Sequence, residues 1–119
     1  MKLIKEIEKI EEDRGGYTRK VLLEQNFEQK NAIRSTWVAL VTIPPSGKAQ
    51  AHFHENVTEF FYFLGAATIG INNKQYDVDT GDLVIVDPGE AHWVKSGETS
   101  LQIVVFKFPN IPEDKTLVE

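Results

Sequence analysis

Three histidines occur in this 119-residue chain, and the spacing of two of them already selects a chemistry. His52 and His54 stand two apart in Ala51-His52-Phe53-His54. On a strand side chains repeat every second residue, so both imidazoles point to one face. Glu59 follows, and His92 comes from a separate segment directly after the turn signal Pro88-Gly89. Three neutral imidazoles offer nitrogen lone pairs and one carboxylate offsets part of a cation's charge. That donor set suits one divalent transition metal, with Fe, Mn, Ni, Zn and Cu all compatible. Glu55 competes with Glu59 as the carboxylate, but strand parity turns it away from the face shared by His52 and His54. Glu59 is the preferred ligand.

The same parity predicts what surrounds the metal. If His52 and His54 face inward, so does Gln50; if Glu59 does, Phe61 and Phe63 follow. Such a pocket is largely apolar with one amide, which favours a small, partly apolar molecule as ligand. Phe60, Tyr62 and Trp93 take the opposite parity. Arg14, Arg19 and Arg34 are candidates for holding a carboxylate or phosphate, although arginines of this kind are more often solvated or paired with acids. Tyr17, Tyr62 and Tyr76 are candidate acids that no spacing ties to the metal. There is no nucleophile-elbow serine and no glycine-rich phosphate loop, and a Ser-His-Asp arrangement would need a histidine not already assigned.

These groups must be positioned by strands. Alternation and turn chemistry predict strands over residues 17–23, 36–43, 49–54, 60–64, 67–71, 74–78, 83–86, 92–95 and 101–108. Pro44-Pro45-Ser46-Gly47, Asn72-Asn73, Asp79-Thr80-Gly81-Asp82 and Ser96-Gly97 punctuate them. Many short strands at close spacing imply an all-β sandwich or barrel. Leu3, Ile4, Ile7 and Ile10 sit at helical spacing, so residues 1–14 read as a short amphipathic helix ended by Gly15-Gly16. Asn56-Val57-Thr58 reads as a plain turn, and the tail from Pro109 as a surface segment.

Composition removes whole classes of function. With no cysteine there are no disulfides, thiolate nucleophiles or sulfur-held metals, so any metal is bound by nitrogen and oxygen. The formal charge of -5, from 18 acidic and 13 basic residues, argues against nucleic acid as partner. No apolar run has signal-peptide or membrane-span length, so a cytoplasmic protein without membrane contact is expected. At 41% hydrophobic residues the chain can bury one core, and residues 1–119 read as a single domain.

Taken together, the histidine segments resemble the two motifs of the cupin superfamily. Gly47, His52-Phe53-His54 and Glu59 match the centre of the first, and Gly81, Gly89 and His92 the second. The resemblance covers about residues 36–108. It implies an all-β, double-stranded β-helix (jelly-roll) barrel, with His52, His54, Glu59 and His92 on one metal inside it. The departures fall at turns: Gly47 is one residue closer to His52 than the pattern asks, Ala66 follows Gly65 at a glycine position, Asp87 precedes Pro88 at the proline, and Ser96 replaces the terminal asparagine. Cupin-like enzymes include dioxygenases, isomerases and decarboxylases, so the resemblance implies a metal-dependent enzyme of unassigned reaction. The alternative is a non-catalytic module that binds a small molecule or stores metal. No general acid or base is evident within the motif-bearing strands. A homodimer is expected, built through strand edges or the outer face that carries Phe60, Tyr62 and Trp93.

Overall fold

The computed structural model describes residues 1–30 and 32–118, without the side chains of residues 29 and 32–34. The side chain of Arg34, one of the three arginines considered above, is therefore not described.

The chain forms strands β1 (Glu11–Asp13), β2 (Thr18–Gln29), β3 (Ala32–Ile43), β4 (Lys48–Phe53), β5 (Thr58–Phe63) and β6 (Ala67–Ile71). They are followed by β7 (Lys74–Val78), β8 (Leu83–Val86), β9 (His92–Ser96), β10 (Leu101–Phe108) and β11 (Thr116–Leu117). Two antiparallel sheets result, ordered β1-β2-β3-β10-β5-β8 and β11-β4-β9-β6-β7. All nine predicted strands are present. β6, β7, β8 and β10 have the bounds read from the sequence, because Asn-, Asp- and Gly-bearing turns fence them closely.

Alternation explains the core. Along β10, Leu101, Ile103 and Val105 are buried while Gln102 is exposed; along β3, Trp37, Ala39, Val41 and Ile43 are buried. Ile69 of β6 and Val94 of β9 meet them from the other sheet. Glu59 holds the same phase as Phe61 and Phe63 on β5, and His92 the same phase as Val94 on β9. The metal-type donors therefore occupy core positions, and the fold carries them inward as it buries the apolar rows.

Residues 1–14 do not form a helix. They give a 3-10 turn at Glu6–Glu8, and then β1 pairs with β2. Leu3, Ile7 and Ile10 remain exposed, so a helix here would have no apolar surface to bury, and short helices are marginal without tertiary packing. Pairing along β2 satisfies the backbone instead and brings Glu12 to Arg19 at 2.9 Å. The C-terminal tail runs along the surface as expected, and it adds one short edge strand whose residues are exposed. β11 pairs with β4, setting Thr116 opposite Phe53 and Leu117 opposite His52.

The shifted turn residues are accommodated locally. Ser46, at the position where the cupin pattern has glycine, adopts φ 53°, so the left-handed turn is kept without the glycine. Gly47 is needed for a different reason, since a Cβ there would lie 2.7 Å from the Pro44 carbonyl oxygen. Ser96, in place of the motif's asparagine, donates its hydroxyl to the Pro44 carbonyl at 2.5 Å and accepts the Gly47 N–H at 2.9 Å. The two loops are pinned together by this one side chain.

Candidate metal centre and its cavity

The first histidine pair is placed by a bulge. Across β4 and β9, Ala49 pairs with Val94 and His52 with His92, so β4 spends one more residue than β9 over that interval. The extra residue reverses the phase of β4, which turns both Ala49 and His52 toward the core side. Gln50 is consequently exposed and lies against Ala51, Asn72 and Trp93 on the outer side, not in the pocket predicted for it. Only its backbone serves the site: the Gln50 carbonyl accepts a hydrogen bond from His52 Nδ1 at 2.9 Å.

The other two imidazoles are held in the same manner. His92 Nδ1 donates to the Glu90 carbonyl at 2.9 Å, and His54 Nδ1 to the carbonyl of Asp114. Fixing all three Nδ1 protons on backbone oxygens leaves each Nε2 as the free lone pair, the tautomer a metal ligand requires. The second turn is tied to the first by the Gly89 N–H, which donates to the His54 carbonyl at 2.6 Å, with Gly89 at φ 84°.

The free atoms converge. Glu59 Oε1 lies 2.5 Å from His54 Nε2, 3.2 Å from His92 Nε2 and 4.0 Å from His52 Nε2. The four donor atoms all fall within 4.8 Å of one another. His54, Glu59 and His92 are 4%, 3% and 1% exposed, yet His54 Nε2, Glu59 Oε1 and His92 Nε2 have no hydrogen-bond partner of adequate geometry. Leaving a buried polar atom unpaired costs about 1–3 kcal/mol, so three at one point mark a place suited to a cation. The residues present fit a divalent metal.

Electrostatics separate the three imidazoles. Burial, with the charge of His92 next, pushes His52 down to about 4, against the pull of the Gln50 carbonyl and Glu59. Burial also pulls on His54, but the Glu59 carboxylate and the Asp114 carbonyl outweigh it and hold this imidazole above its ordinary 6.5. Burial would raise Glu59, yet the close approach of the His54 and His92 imidazoles keeps it well below the carboxylate range.

Asp114 is a residue that the sequence reading missed. Its carbonyl orients His54, while its carboxylate accepts the N–H groups of Glu55 and Asn56, each at 2.8 Å. Those N–H groups, that of Glu55 first, hold the carboxylate below its usual value. They hold the bend at Glu55-Asn56, one residue ahead of the turn expected at Asn56-Val57-Thr58, whose Thr58 already begins β5.

Beside the donors is a cavity of about 140 Å³. Phe61 lines it as expected, with its ring 5.7 Å from that of His92. Phe63 does not line it; it is fully buried in the core, 6.4 Å from the Phe61 ring. Tyr17, Arg14, Arg19, Lys107 and Lys115 also border the cavity, whereas Tyr62 and Tyr76 are exposed elsewhere. Lys107 had a sequence signal: it continues the apolar phase of Leu101, Ile103 and Val105.

The cupin domain family matches residues 39–106, more than half of the chain. The chain belongs to the cupin family. Three solved cupin-like structures place its fold. KdgF from Halomonas sp. is 15% identical, with a TM-score of 0.80 over 95% of this chain and 97% of that one. A predicted oxalate decarboxylase from Thermotoga maritima is 22% identical, with a TM-score of 0.75 over 92% and 100%. A Streptomyces PAC13 variant with uridine is 16% identical, with a TM-score of 0.77 over 98% and 90%. No curated protein matches the sequence. At these identities the structures share the cupin fold with this chain, and the donor set is this cupin's own.

Proposed function

We propose that this single-domain cupin is a metal-dependent enzyme that binds and transforms a small, partly apolar molecule beside a centre made by His52, His54, Glu59 and His92. The observation that carries the reading is the convergence of buried donor atoms with no hydrogen-bond partner, each imidazole already oriented through its Nδ1. A divalent metal held there would supply a Lewis acid or an oxygen-activating centre with positions left for a ligand. The chain's own residues do the rest. Trp37 and Phe61 wall the cavity against water, Asp114 orients His54, and Tyr17 and Lys107 bring groups able to carry a proton to the cavity surface. Among similar structures, one is a predicted oxalate decarboxylase and another holds uridine, which supports a small-molecule ligand.

Elemental analysis of tag-free protein is expected to find about one divalent metal per chain, and oxygen uptake by the iron-loaded form would then separate an oxygenase from other chemistries. Protein that neither retains metal nor takes up added Fe²⁺ or Zn²⁺ would remove the basis for the reading. Metal without turnover of any supplied molecule would favour the binding or storage module instead.

Metal affinity should depend steeply on pH. Binding needs neutral imidazoles, and His54 is held above 6.5, so protons compete with the metal already near neutrality. The sign is fixed: a raised pKa favours the protonated, non-binding form, and affinity falls by about tenfold per pH unit below it. A Zn²⁺ titration between pH 8 and 5.5 should show a loss of at least about tenfold. Constant affinity over that range would exclude His54 as a ligand.

A further inference from the structure

Around this cavity an acidic chain has gathered its positive charge. The protein carries 18 acidic against 13 basic residues, yet the cavity is bordered by Arg14, Arg19, Lys107 and Lys115 with only Glu24 and Glu59 against them. Arg19 is partly neutralised from outside by Glu12. Lys107 is not: among the described residues no carboxylate oxygen lies within 4.0 Å of its ammonium.

Strand register puts Lys107 where it is. On the inward phase of β10 it pairs with Trp37 of β3 on one side and Glu59 of β5 on the other, so indole, ammonium and metal-site carboxylate form one row across three strands. The ammonium stands 4.2 Å from the Trp37 ring centroid and the Arg19 guanidinium 5.3 Å from it. Burial lowers the lysine's pKa, and although Glu59 acts in the opposite sense, Arg19, Lys115 and Arg14 add to the lowering. Holding these cations together is costly unless an anion enters among them. Among the remaining walls are the apolar side chains of Val41, Ile43, Ile103 and Val105 and the flat rings of Trp37 and Phe61. The space of about 140 Å³ compares with the roughly 150 Å³ that accommodates a benzene-sized molecule.

We infer that the ligand of this cavity is a small carboxylate with a flat apolar body. Lys107 and Arg19 take its carboxylate, while Trp37 and Phe61 flank the body and present its far end to the histidine–glutamate cluster. The inference rests on the proposed function for the identity of the ligand site, but not on a metal being bound. Guanidinium and ammonium groups lining a partly closed, low-dielectric cavity would also draw such anions toward a protein of opposite overall sign.

Benzoate and benzamide form the test, since they share size and shape and differ in charge. Binding is followed by calorimetry, with Trp fluorescence as a second signal, on metal-stripped and Zn²⁺-loaded protein. The expected result is a preference for benzoate of about tenfold or more in both forms, as charge-assisted hydrogen bonds require. Lys107→Met should reduce that preference to within about twofold in the stripped form, because the methionine keeps the packing against Trp37 without the charge. Its Zn²⁺ affinity and thermal stability should be equal to or above those of the parent, since a partly buried charge with no carboxylate partner has been removed. Equal binding of the two probes, binding of neither at millimolar concentration, or a benzoate preference that Lys107→Met leaves intact would each overturn the inference. A preference seen only with Zn²⁺ would do so as well, by assigning the carboxylate to the metal. Failure to bind Zn²⁺ with benzoate recognition retained would instead count against the metal centre alone.

Discussion

His92→Ala is expected to weaken metal binding by orders of magnitude while leaving the chain folded. His92 is 1% exposed, its Nδ1 is fixed on the Glu90 carbonyl, and its Nε2 faces Glu59 at 3.2 Å. No other side chain near it could substitute, since the three histidines of the sequence are all at the site and there is no cysteine. Structural zinc sites bind with roughly 10–16 kcal/mol shared over four ligands, so losing one should weaken binding by about two to three orders of magnitude. The fold should survive because the substitution also removes a buried nitrogen that has no partner, offsetting part of the space it leaves. Zn²⁺ calorimetry at pH 7.5 beside circular dichroism of the same sample reads both effects. A folded variant with parental affinity would show that the donors do not act as one centre.

The legibility of this site differs from residue to residue for physical reasons. His52, His54, Glu59 and His92 could be found because ligand chemistry restricts residue types and because two of them share a strand. Gln50 was misplaced by a single extra residue: periodicity assumes an unbroken strand, and the bulge between Ala49 and His52 reverses its phase without leaving any mark in composition. Asp114 could not be read at all, since it acts on His54 across 60 residues and through its backbone carbonyl, which every residue type possesses. Lys107 was legible in principle, as a cation on the buried phase of an otherwise apolar strand. The outer halves of β2 and β3 were missed because residues 24–29 are mainly polar, and pairing with a neighbouring strand is decided by the backbone. At the N-terminus the reverse occurred: Leu3, Ile7 and Ile10 have helical spacing but no surface to pack against, and pairing with β2 prevailed.

In solution the protein is expected to have about twice the mass of its 13.5 kDa chain, and Tyr62→Glu is expected to return it to one. The reason lies on the outer face of the sheet β3-β10-β5-β8. Register aligns Leu40, Val104, Tyr62 and Leu83 in one row across four strands, and Val38, Phe106, Phe60 and Ile85 in the next. Neither row contains a charge. Tyr62, Leu83, Ile85 and Phe108 are each more than a third exposed, and β8 at the edge offers unpaired backbone as well. Trp93, expected to share this face, belongs to the other sheet, where its ring covers Gly70 so closely that a Cβ there would come within 2.1 Å of it. A contiguous exposed apolar face of this kind marks an interaction surface. We propose a second copy as its occupant, because two uncharged rows can meet their own image across a twofold axis without bringing together the acidic surplus carried elsewhere. Burying Tyr62 at the centre makes a carboxylate there costly to desolvate, so the variant should dissociate at micromolar concentration while its Zn²⁺ affinity is unchanged, the metal donors lying on the opposite face of β5. Light scattering that finds the parent chain at the mass of a single copy would refute the dimer.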